Sequence, residues 1–254
     1  MKISIVFCLA VLISSDISAC VDFSRQFKSI SIGDAMKSWS EPAVSSVWNV
    51  SEVNGRVCVE MAGGSQSNVP QGLNELVFWF RLEQIAYWHR TERGWIVTEQ
   101  ASGYPSRTWW LASDGSSMQY IGAYKLYAYK IINGSVYALP RLPGNADVNG
   151  VVRLTESSSG RWEAKRVAQF IEFPMREIKS NDNGIYFLAG NAIYVYTPDN
   201  GLELFKKIES MPKTLPSSAV KIGDVFWFGG ADSVFSLNPK TNAYNYYAIS
   251  NQGG

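Results

Sequence analysis

A glycine followed by a short apolar and aromatic stretch recurs five times along the chain. The copies begin at Gly55, Gly94, Gly134, Gly184 and Gly223, at intervals of 39, 40, 50 and 39 residues. Asn or Asp stands beside several of these glycines, and such pairs supply the positive φ values that tight hairpin turns need. Each stretch is therefore predicted to be a strand that follows a turn.

A second turn signal precedes the last strand of each unit, as at Pro198–Gly201 and Pro239–Asn242. The two C-terminal units show the full pattern of four strands. The predicted strands are Arg176–Lys179, Ile185–Leu188, Ala192–Tyr196 and Leu202–Lys206 in the fourth unit, and Ala219–Ile222, Val225–Phe228, Ser233–Leu237 and Tyr244–Ile249 in the fifth.

Four short antiparallel strands every ~40 residues are typical of a β-propeller blade. A blade packs on neighbours through both faces, which explains strands that are apolar throughout. We predict an all-β chain that forms a small β-propeller of five blades, or six if an N-terminal arm contributes one; a β-sandwich is the alternative. The predicted segments are a signal peptide at 1–19, the arm at 20–44, and a propeller domain at 45–254 with units near 45–83, 84–122, 123–172, 173–212 and 213–254.

Helix is predicted to be scarce. Asn74–Arg81 and Gly160–Phe170 have some helical composition, but both fit strands in the repeat register. Gly33–Trp39 is compatible with a short helix. The segment 21–44 is expected either to add a strand that closes the ring or to form part of a sixth blade.

The repeats loosely resemble those of bacterial exported β-propeller proteins of the kelch and quinoprotein-like kinds, over most of residues 45–250. The resemblance lies in the glycine–strand phrases, such as Asn183–Leu188 and Gly223–Phe228. It implies a binding scaffold, as in envelope assembly or in immunity proteins that block a toxin in the periplasm.

The first residues predict export. Met1-Lys2 precedes an apolar run, Ile3–Ile13, which is too short to span a membrane, and small residues follow. Ile17-Ser18-Ala19-Cys20 resembles a lipobox, which would make Cys20 a lipidated N-terminus. Alternatively, Cys20 and Cys58 form a disulfide. The two alternatives exclude each other, and both predict an exported, periplasmic protein. Contact with the membrane is expected only through the lipid anchor of the first alternative.

The amino-acid composition limits the kinds of ligand and site that we expect. The 254 residues carry a net charge of +1, which argues against nucleic-acid binding. One histidine and three cysteines give no zinc cluster or multi-histidine metal site, and we expect no cofactor. His89 lies between aromatic residues and is interpreted as a packing residue. Ser113-Asp114-Gly115 resembles part of the Asp-box turn of sialidases. The motif does not recur in the other units.

Aromatic residues, 13% of the chain, give the strongest indication of a binding surface. Trp109 and Trp110 are neighbours in a strand and should point to opposite faces. Tyr120 and Tyr124 belong to a second cluster. The long third interval places a loop insertion at 140–150, whose Arg141 and Asp147 are further binding candidates.

We therefore expect an exported, monomeric, non-enzymatic protein that holds a protein partner on one face of the propeller. The alternative is a carbohydrate-binding module or weak glycosidase that uses Trp109, Trp110 and the tyrosine cluster.

Overall fold

The structure, a computed structural model, describes residues 27–30, 48–53, 56–61, 69–100, 106–140, 150–169, 175–209, 216, 218–230 and 233–249. Cys20, Arg141, Asp147 and the segment Gly33–Trp39 lie outside these residues. Within them, no helix is long and apolar enough to cross a membrane.

Most of the described chain forms four antiparallel sheets, each built from strands consecutive in sequence. Sheet 1 contains β4 (Gln84–Arg90), β5 (Gly94–Gln100), β6 (Arg107–Ala112) and β7 (Met118–Gly122). Sheet 2 contains β8 (Leu126–Ile132), β9 (Ser135–Pro140), β10 (Gly150–Glu156) and β11 (Trp162–Gln169).

Sheets 3 and 4 repeat the pattern. Sheet 3 contains β12 (Met175–Ile178), β13 (Ile185–Ala189), β14 (Ala192–Thr197) and β15 (Gly201–Lys207). Sheet 4 contains β16 (Ser218–Ile222), β17 (Val225–Gly229), β18 (Ser233–Asn238) and β19 (Ala243–Ile249), and β1 (Phe27–Ile30) pairs with β19 as a fifth strand. The N-terminal arm thus adds a strand to the edge of sheet 4.

A hairpin and a helix make up the rest. β2 (Trp48–Val53) pairs with β3 (Arg56–Met61), and α1 spans Gln71–Trp79. Val50 of the hairpin packs with Val220 and Val234 of sheet 4. The hairpin therefore covers the face of sheet 4 next to its first strands.

The sheets pack face to face through apolar layers. Phe226, Phe228 and Phe235 of sheet 4 are fully buried in a cluster with Leu188 and Ile193 of sheet 3. Similar clusters join sheet 3 to sheet 2 and sheet 2 to sheet 1. Inner strands such as β13 and β17 are buried on both faces, so they are apolar throughout rather than alternating.

The first strands of neighbouring sheets run side by side. β4 contacts β8, β12 contacts β16, and Lys179 forms a parallel bridge to Val220. Four-stranded meanders that pack face to face with their first strands together have the arrangement of β-propeller blades. The prediction of an all-β fold made of four-stranded antiparallel sheets is confirmed.

One predicted element is wrong. Residues 74–81 were expected to form a strand, but residues 74–79 belong to helix α1. Leu73 and Leu76 are spaced three apart and are buried against Trp95, Val97 and Leu111 of sheet 1. That spacing places both leucines on one face of a helix, whereas a strand would divide them between two faces. The other ambiguous segment, 160–170, does contain a strand, β11.

Glycine is required at one turn and at one close approach between strands. Asn133 and Gly134 have φ values of 49° and 74°, as a two-residue hairpin turn requires. At Gly94, a Cβ atom would lie 2.1 Å from the carbonyl oxygen of Leu111, so only glycine allows β5 to approach β6 there.

Candidate binding face

One end of the sheets carries the turns that connect the first strand of each sheet to the second. Because every sheet is an antiparallel meander, the turns between third and fourth strands lie at that end too. The parallel bridge between Lys179 and Val220 gives sheets 3 and 4 the same direction. We call this end the turn face; its turns are 91–93, 113–117, 133–134, 157–161, 179–184, 198–200, 223–224 and 239–242.

A first cavity of about 360 Å³, the channel cavity, lies between strands β4, β8 and β12. His89, Lys130 and Glu177 line it, one from each strand. Charged groups on first strands contrast with the apolar second and third strands. The channel cavity therefore brings together polar groups from three sheets.

Lys130 is held by the turn that follows β12. Its Nζ donates to the carbonyl and hydroxyl oxygens of Ser180, at 2.9 and 2.8 Å, and to the carbonyl oxygen of Gly184 at 2.8 Å. All three ammonium N–H groups are thus used. Burial lowers the pKa of Lys130, opposed by the negative charge of Asp182 and Glu177. Lys130 is a fixed cation that joins sheet 2 to sheet 3.

Lys221 holds the same turn from the other side. Its Nζ donates to the Asp182 carboxylate at 2.5 Å and to the carbonyl oxygen of Gly223 at 2.7 Å. The ammonium also lies 5.4 Å from the centre of the Tyr186 ring. The 179–184 turn is therefore fixed between a lysine of sheet 2 and a lysine of sheet 4.

Burial also shifts the pKa values of Glu177 and His89 in the channel cavity. Burial raises the pKa of Glu177, against the effect of Lys179 and Lys130. Burial lowers the pKa of His89, so its imidazole is neutral at pH 7. Both groups are thus shifted toward their uncharged forms.

The His89 ring stacks on Tyr129, with centroids 5.2 Å apart. Its Nε2 is buried and has no hydrogen-bond partner among the described residues. The Tyr129 hydroxyl hydrogen-bonds to Thr98 Oγ1 at 3.2 Å, and burial raises the pKa of Tyr129. His89 is thus positioned by stacking, with one polar atom unpaired.

A second cavity of about 510 Å³, the cleft cavity, lies between sheets 1 and 2, and His89 lines it as well. Arg93 forms an ion pair with Glu156 across it. The Nη2 of Arg153 donates to Ser135 Oγ at 2.8 Å. Arg90 and Glu92 also line the cleft cavity, so its lining includes three arginines and two glutamates in all.

A third cavity of about 530 Å³, the outer cavity, continues from the cleft cavity. The two cavities share Arg93 and Glu156, and Trp110 lines the outer one. Several hydroxyl groups add polar surface, including those of Ser113 and Ser159. The three cavities lie next to one another, and we call them together the binding strip.

The structure separates the two predicted tryptophans. Trp109 is half-buried, and its Nε1 donates to Glu99 Oε2 at 3.0 Å. Trp110 is only 8% exposed, packs between sheets 1 and 2, and donates to Thr91 Oγ1 at 3.4 Å. Their side chains lie on opposite faces of sheet 1. Of the two, only Trp110 lines the binding strip.

The predicted tyrosines lie elsewhere. Tyr120 is 49% exposed, and its ring meets Trp109 edge-on with centroids 5.0 Å apart. Tyr124 is half-buried in the layer between sheets 1 and 2, and its carbonyl accepts from Thr108 Oγ1 at 2.8 Å. Neither lines the cavities of the strip. Tyr120 and Trp109 form a small aromatic cluster at the outer edge of sheet 1.

The other residues predicted to form a site cannot be placed relative to the binding strip. Arg141, Asp147 and Cys20 lie outside the described residues, so lipidation and the disulfide both stay predictions. Cys58 lies in β3, opposite Ser51 in the hairpin register. In the part of the chain that the structure describes, no group of three or more His, Cys, Asp or Glu could hold a metal ion.

Sequence reasoning missed the residues that line the binding strip. His89 was interpreted as a packing residue, and the polar residues of the first strands were not considered. One signal could have found three of them: His89, Lys130 and Glu177 are polar residues in the first strands of three sheets, each near the turn that follows. Arg153 lies in a third strand and gives no such signal.

No protein-family model and no curated protein sequence matches this chain. Solved structures that match include virginiamycin B lyase-like β-propeller proteins at low identity. They include a streptogramin B lyase structure, 12% identical over 90% of this chain and 89% of that one, with a TM-score of 0.37. Virginiamycin B lyase from Staphylococcus aureus is 13% identical over 88% of each chain, with a TM-score of 0.37. A functionally unknown protein from Desulfotomaculum acetoxidans DSM 771 is 14% identical over 64% of this chain and 54% of that one, with a TM-score of 0.40.

These comparisons correct one prediction. The absence of a recognisable catalytic motif led us to expect a protein that is not an enzyme, and that prediction is wrong as it stands, because two of the matched structures are lyases. At TM-scores of 0.37 to 0.40, the likeness assigns no activity, substrate or residue role to this chain.

Proposed function

We propose that this protein is an exported five-bladed β-propeller whose turn face holds a partner protein. In this proposal sheets 1 to 4 are four blades, and the β2–β3 hairpin forms the inner part of the fifth. The packing of Val50 against Val220 and Val234 supports this, because it places β2 beside the first strand of sheet 4. β1 then fastens the N-terminal arm to the outer edge of the last blade.

The binding strip is the observation that carries the proposal. Its three cavities are adjacent, because the channel and cleft cavities share His89, and the cleft and outer cavities share Arg93 and Glu156. A long, narrow depression between rigid sheets suits an extended segment of a partner. Turn and loop residues on a rigid scaffold are also where proteins concentrate binding groups.

The sequence supplies the cellular setting of the proposal. The signal peptide and Cys20 suggest export and a lipid anchor, and the proposed settings are periplasmic immunity and envelope assembly. A protein tethered to an envelope surface needs one accessible face for its partner, and the turn face with its cavities can serve as that face.

The geometry favours a protein partner over a glycan. Carbohydrate binding was expected to use exposed rings of Trp109 and Trp110, but Trp110 is buried between two sheets and Trp109 is packed beside Tyr120. The outer cavity does offer hydroxyl groups, yet no broad aromatic platform lines it. Loss of glycan binding on Trp110→Ala would nevertheless favour the carbohydrate alternative.

Site-specific photo-cross-linking in the native envelope tests the proposal. A photoreactive phenylalanine analogue replaces Glu92 in the cleft cavity or Ser159 in the outer cavity. Lys165 and Glu203 are exposed controls on outer strands, away from the three cavities. We expect the strip positions, and not the controls, to give one discrete protein adduct. Adducts of equal yield at all four positions, or none at Glu92 and Ser159, would refute the proposal.

A further inference from the structure

A lysine and a serine from neighbouring sheets are in direct contact at the channel cavity. Lys130 lies in β8 of sheet 2, and Ser180 lies in the 179–184 turn that follows β12 of sheet 3. The distance from Lys130 Nζ to Ser180 Oγ is 2.8 Å, and both residues line the cavity. Ser180 is only half-buried. An amine beside a serine hydroxyl is the arrangement in which a lysine can activate a serine nucleophile.

The hydrogen-bond partners of Lys130 fit a neutral amine as well as an ammonium group. Two of them are the carbonyl oxygens of Ser180 and Gly184, at 2.9 and 2.8 Å, which can only accept. The third is the Ser180 hydroxyl, which can accept or donate. A neutral amine has two N–H groups for the carbonyl oxygens and one lone pair for the hydroxyl proton. Loss of one ammonium proton therefore breaks none of the three contacts and reverses only the one to Ser180 Oγ.

The charges around Lys130 also permit the neutral form. Among the described residues, no carboxylate forms an ion pair with Lys130. Glu177 and Asp182 act on it from a greater distance, and the Asp182 carboxylate is paired with Lys221, whose own positive charge opposes that of Lys130. His89, on β4, is neutral at pH 7. Burial is the largest effect, and it lowers the pKa of Lys130.

Backbone hydrogen bonds to sheet 4 hold the serine in place. Lys179, directly before Ser180, donates its N–H to the carbonyl oxygen of Ala219 at 3.0 Å. The carbonyl oxygen of Lys179 accepts from the N–H of Lys221 at 2.7 Å. Ser180 thus follows a residue that is bonded on both sides. A nucleophile and a base that are already in place need little rearrangement before they react.

We propose that Ser180 and Lys130 act as nucleophile and general base and cleave small activated esters in the channel cavity. Ser180 Oγ attacks the ester carbonyl carbon while its proton passes to the neutral Lys130 amine. The bond to the leaving oxygen then breaks, and that oxygen takes the proton from Lys130. Water releases the acid from Ser180 in the same way, with Lys130 again taking and returning one proton. This activity goes beyond partner binding and does not depend on it.

The cavity limits the substrate to a small one. Its volume of about 360 Å³ is at the lower end of the range for small-molecule sites. The rings of Tyr129 and Tyr186 and the side chain of Ile185 belong to residues of its lining. A small acyl group on a phenol therefore suits the cavity, and a phenol leaves easily as its anion.

Two probes test the pair in the whole mature protein. p-Nitrophenyl acetate reports ester cleavage by release of p-nitrophenolate. A fluorophosphonate transfers its phosphonyl group to an activated serine with loss of fluoride, and mass spectrometry then locates the adduct. We expect ester cleavage and a single adduct on the peptide that contains Ser180, and we expect Ser180→Ala to lose both. Ser159→Ala, which removes an exposed hydroxyl group in the outer cavity, should change neither.

Lys130→Arg separates a general base from a structural link between sheets. Arginine keeps the positive charge and offers N–H donors to the same carbonyl oxygens, but it does not lose its proton in proteins. General bases contribute about 10²–10⁴-fold to rates, so Lys130→Arg should slow labelling of Ser180 at least about a hundredfold. In the unchanged protein, labelling should speed up as pH rises and reach half its maximum below pH 10.5, the ordinary pKa of lysine.

Several results would overturn the inference. They are the absence of an adduct on Ser180, cleavage and labelling by Ser180→Ala at the unchanged rate, and labelling of Lys130→Arg as fast as the unchanged protein. A labelling rate that stays constant between about pH 7 and about pH 10 would also overturn it. Circular dichroism shows whether Lys130→Arg folds; if it does not, Ser180→Ala and the pH dependence still decide.

Discussion

Replacing Thr98 by valine should destabilise the contact between sheets 1 and 2. Thr98 is fully buried, and its Oγ1 donates to the carbonyl oxygen of Leu126 at 3.1 Å. Because that donation uses its single proton, Thr98 must accept from the hydroxyl of Tyr129, 3.2 Å away. The residue opposite Leu126 in sheet 2 is Pro140, which has no N–H. Thr98 thus joins two buried groups of the neighbouring sheet.

The magnitude follows from the groups left unpaired. Valine has nearly the shape of threonine, so Thr98→Val leaves little cavity. It leaves the Leu126 carbonyl and the Tyr129 hydroxyl without this partner, and each unpaired buried group costs about 1–3 kcal/mol. The longer contact to Thr108 Oγ1, at 3.4 Å, adds little. We expect the free energy of unfolding to fall by about 2 kcal/mol.

Urea unfolding followed by tryptophan fluorescence measures this loss as a lower midpoint at an unchanged slope. Thr155→Val is the matched control, because Thr155 lies half-buried in β10 and should change stability by less than about 0.5 kcal/mol. In a Tyr129→Phe background, Thr98→Val should cost about 0.5–1 kcal/mol less, since the orphaned hydroxyl is gone. A Thr98→Val protein as stable as the Thr155→Val protein would refute the reasoning.

Three further changes have expected outcomes. Gly94→Ala should lower stability by at least about 2 kcal/mol in the same urea assay, because its Cβ would overlap the Leu111 carbonyl, while Gly72→Ala, with nothing within 4 Å, should not. Leu73→Ala should cost about 2–5 kcal/mol and lower the melting temperature, since Leu73 is fully buried between α1 and sheet 1; an unchanged temperature would show that α1 is not part of the core. Burial lowers the folded pKa of His89 below 6.5, so the unfolded chain takes up its proton first and stability is lost as pH falls through 6.5 toward that lower pKa. His89→Gln should remove this part of the acid sensitivity. The prediction is contradicted if the stability lost between pH 7.5 and about pH 5, measured from unfolding curves, is the same in His89→Gln as in the unchanged protein.

The sequence predicted the repeat well where turns and strands are regular. The strands of the fourth and fifth units agree with sheets 3 and 4 to within one or two residues, because glycine and Asn-Gly turns mark their ends. Helix α1 was missed because we gave the expected repeat register more weight than the helical spacing of Leu73 and Leu76. Tertiary packing on sheet 1 decides its conformation.

The candidate site could be predicted only in part. Trp110 was a binding candidate because of its aromatic ring. It does line the binding strip, but the residue is buried and does not offer an exposed ring. His89 and Trp162 each have a buried polar atom with no hydrogen-bond partner in the part of the chain that the structure describes, and no sequence pattern reveals such atoms.

The pairing of β1 with β19 has a consequence for how the chain folds as it is made. Phe27 pairs with Ile249, so the first strand of the described chain completes its hydrogen bonds only with the last. More than two hundred residues must be synthesised before β1 has its partner. Contacts of such long sequence separation form late and slowly. Until then β19 is absent, and sheet 4 keeps an open edge that a second unfinished chain could pair with.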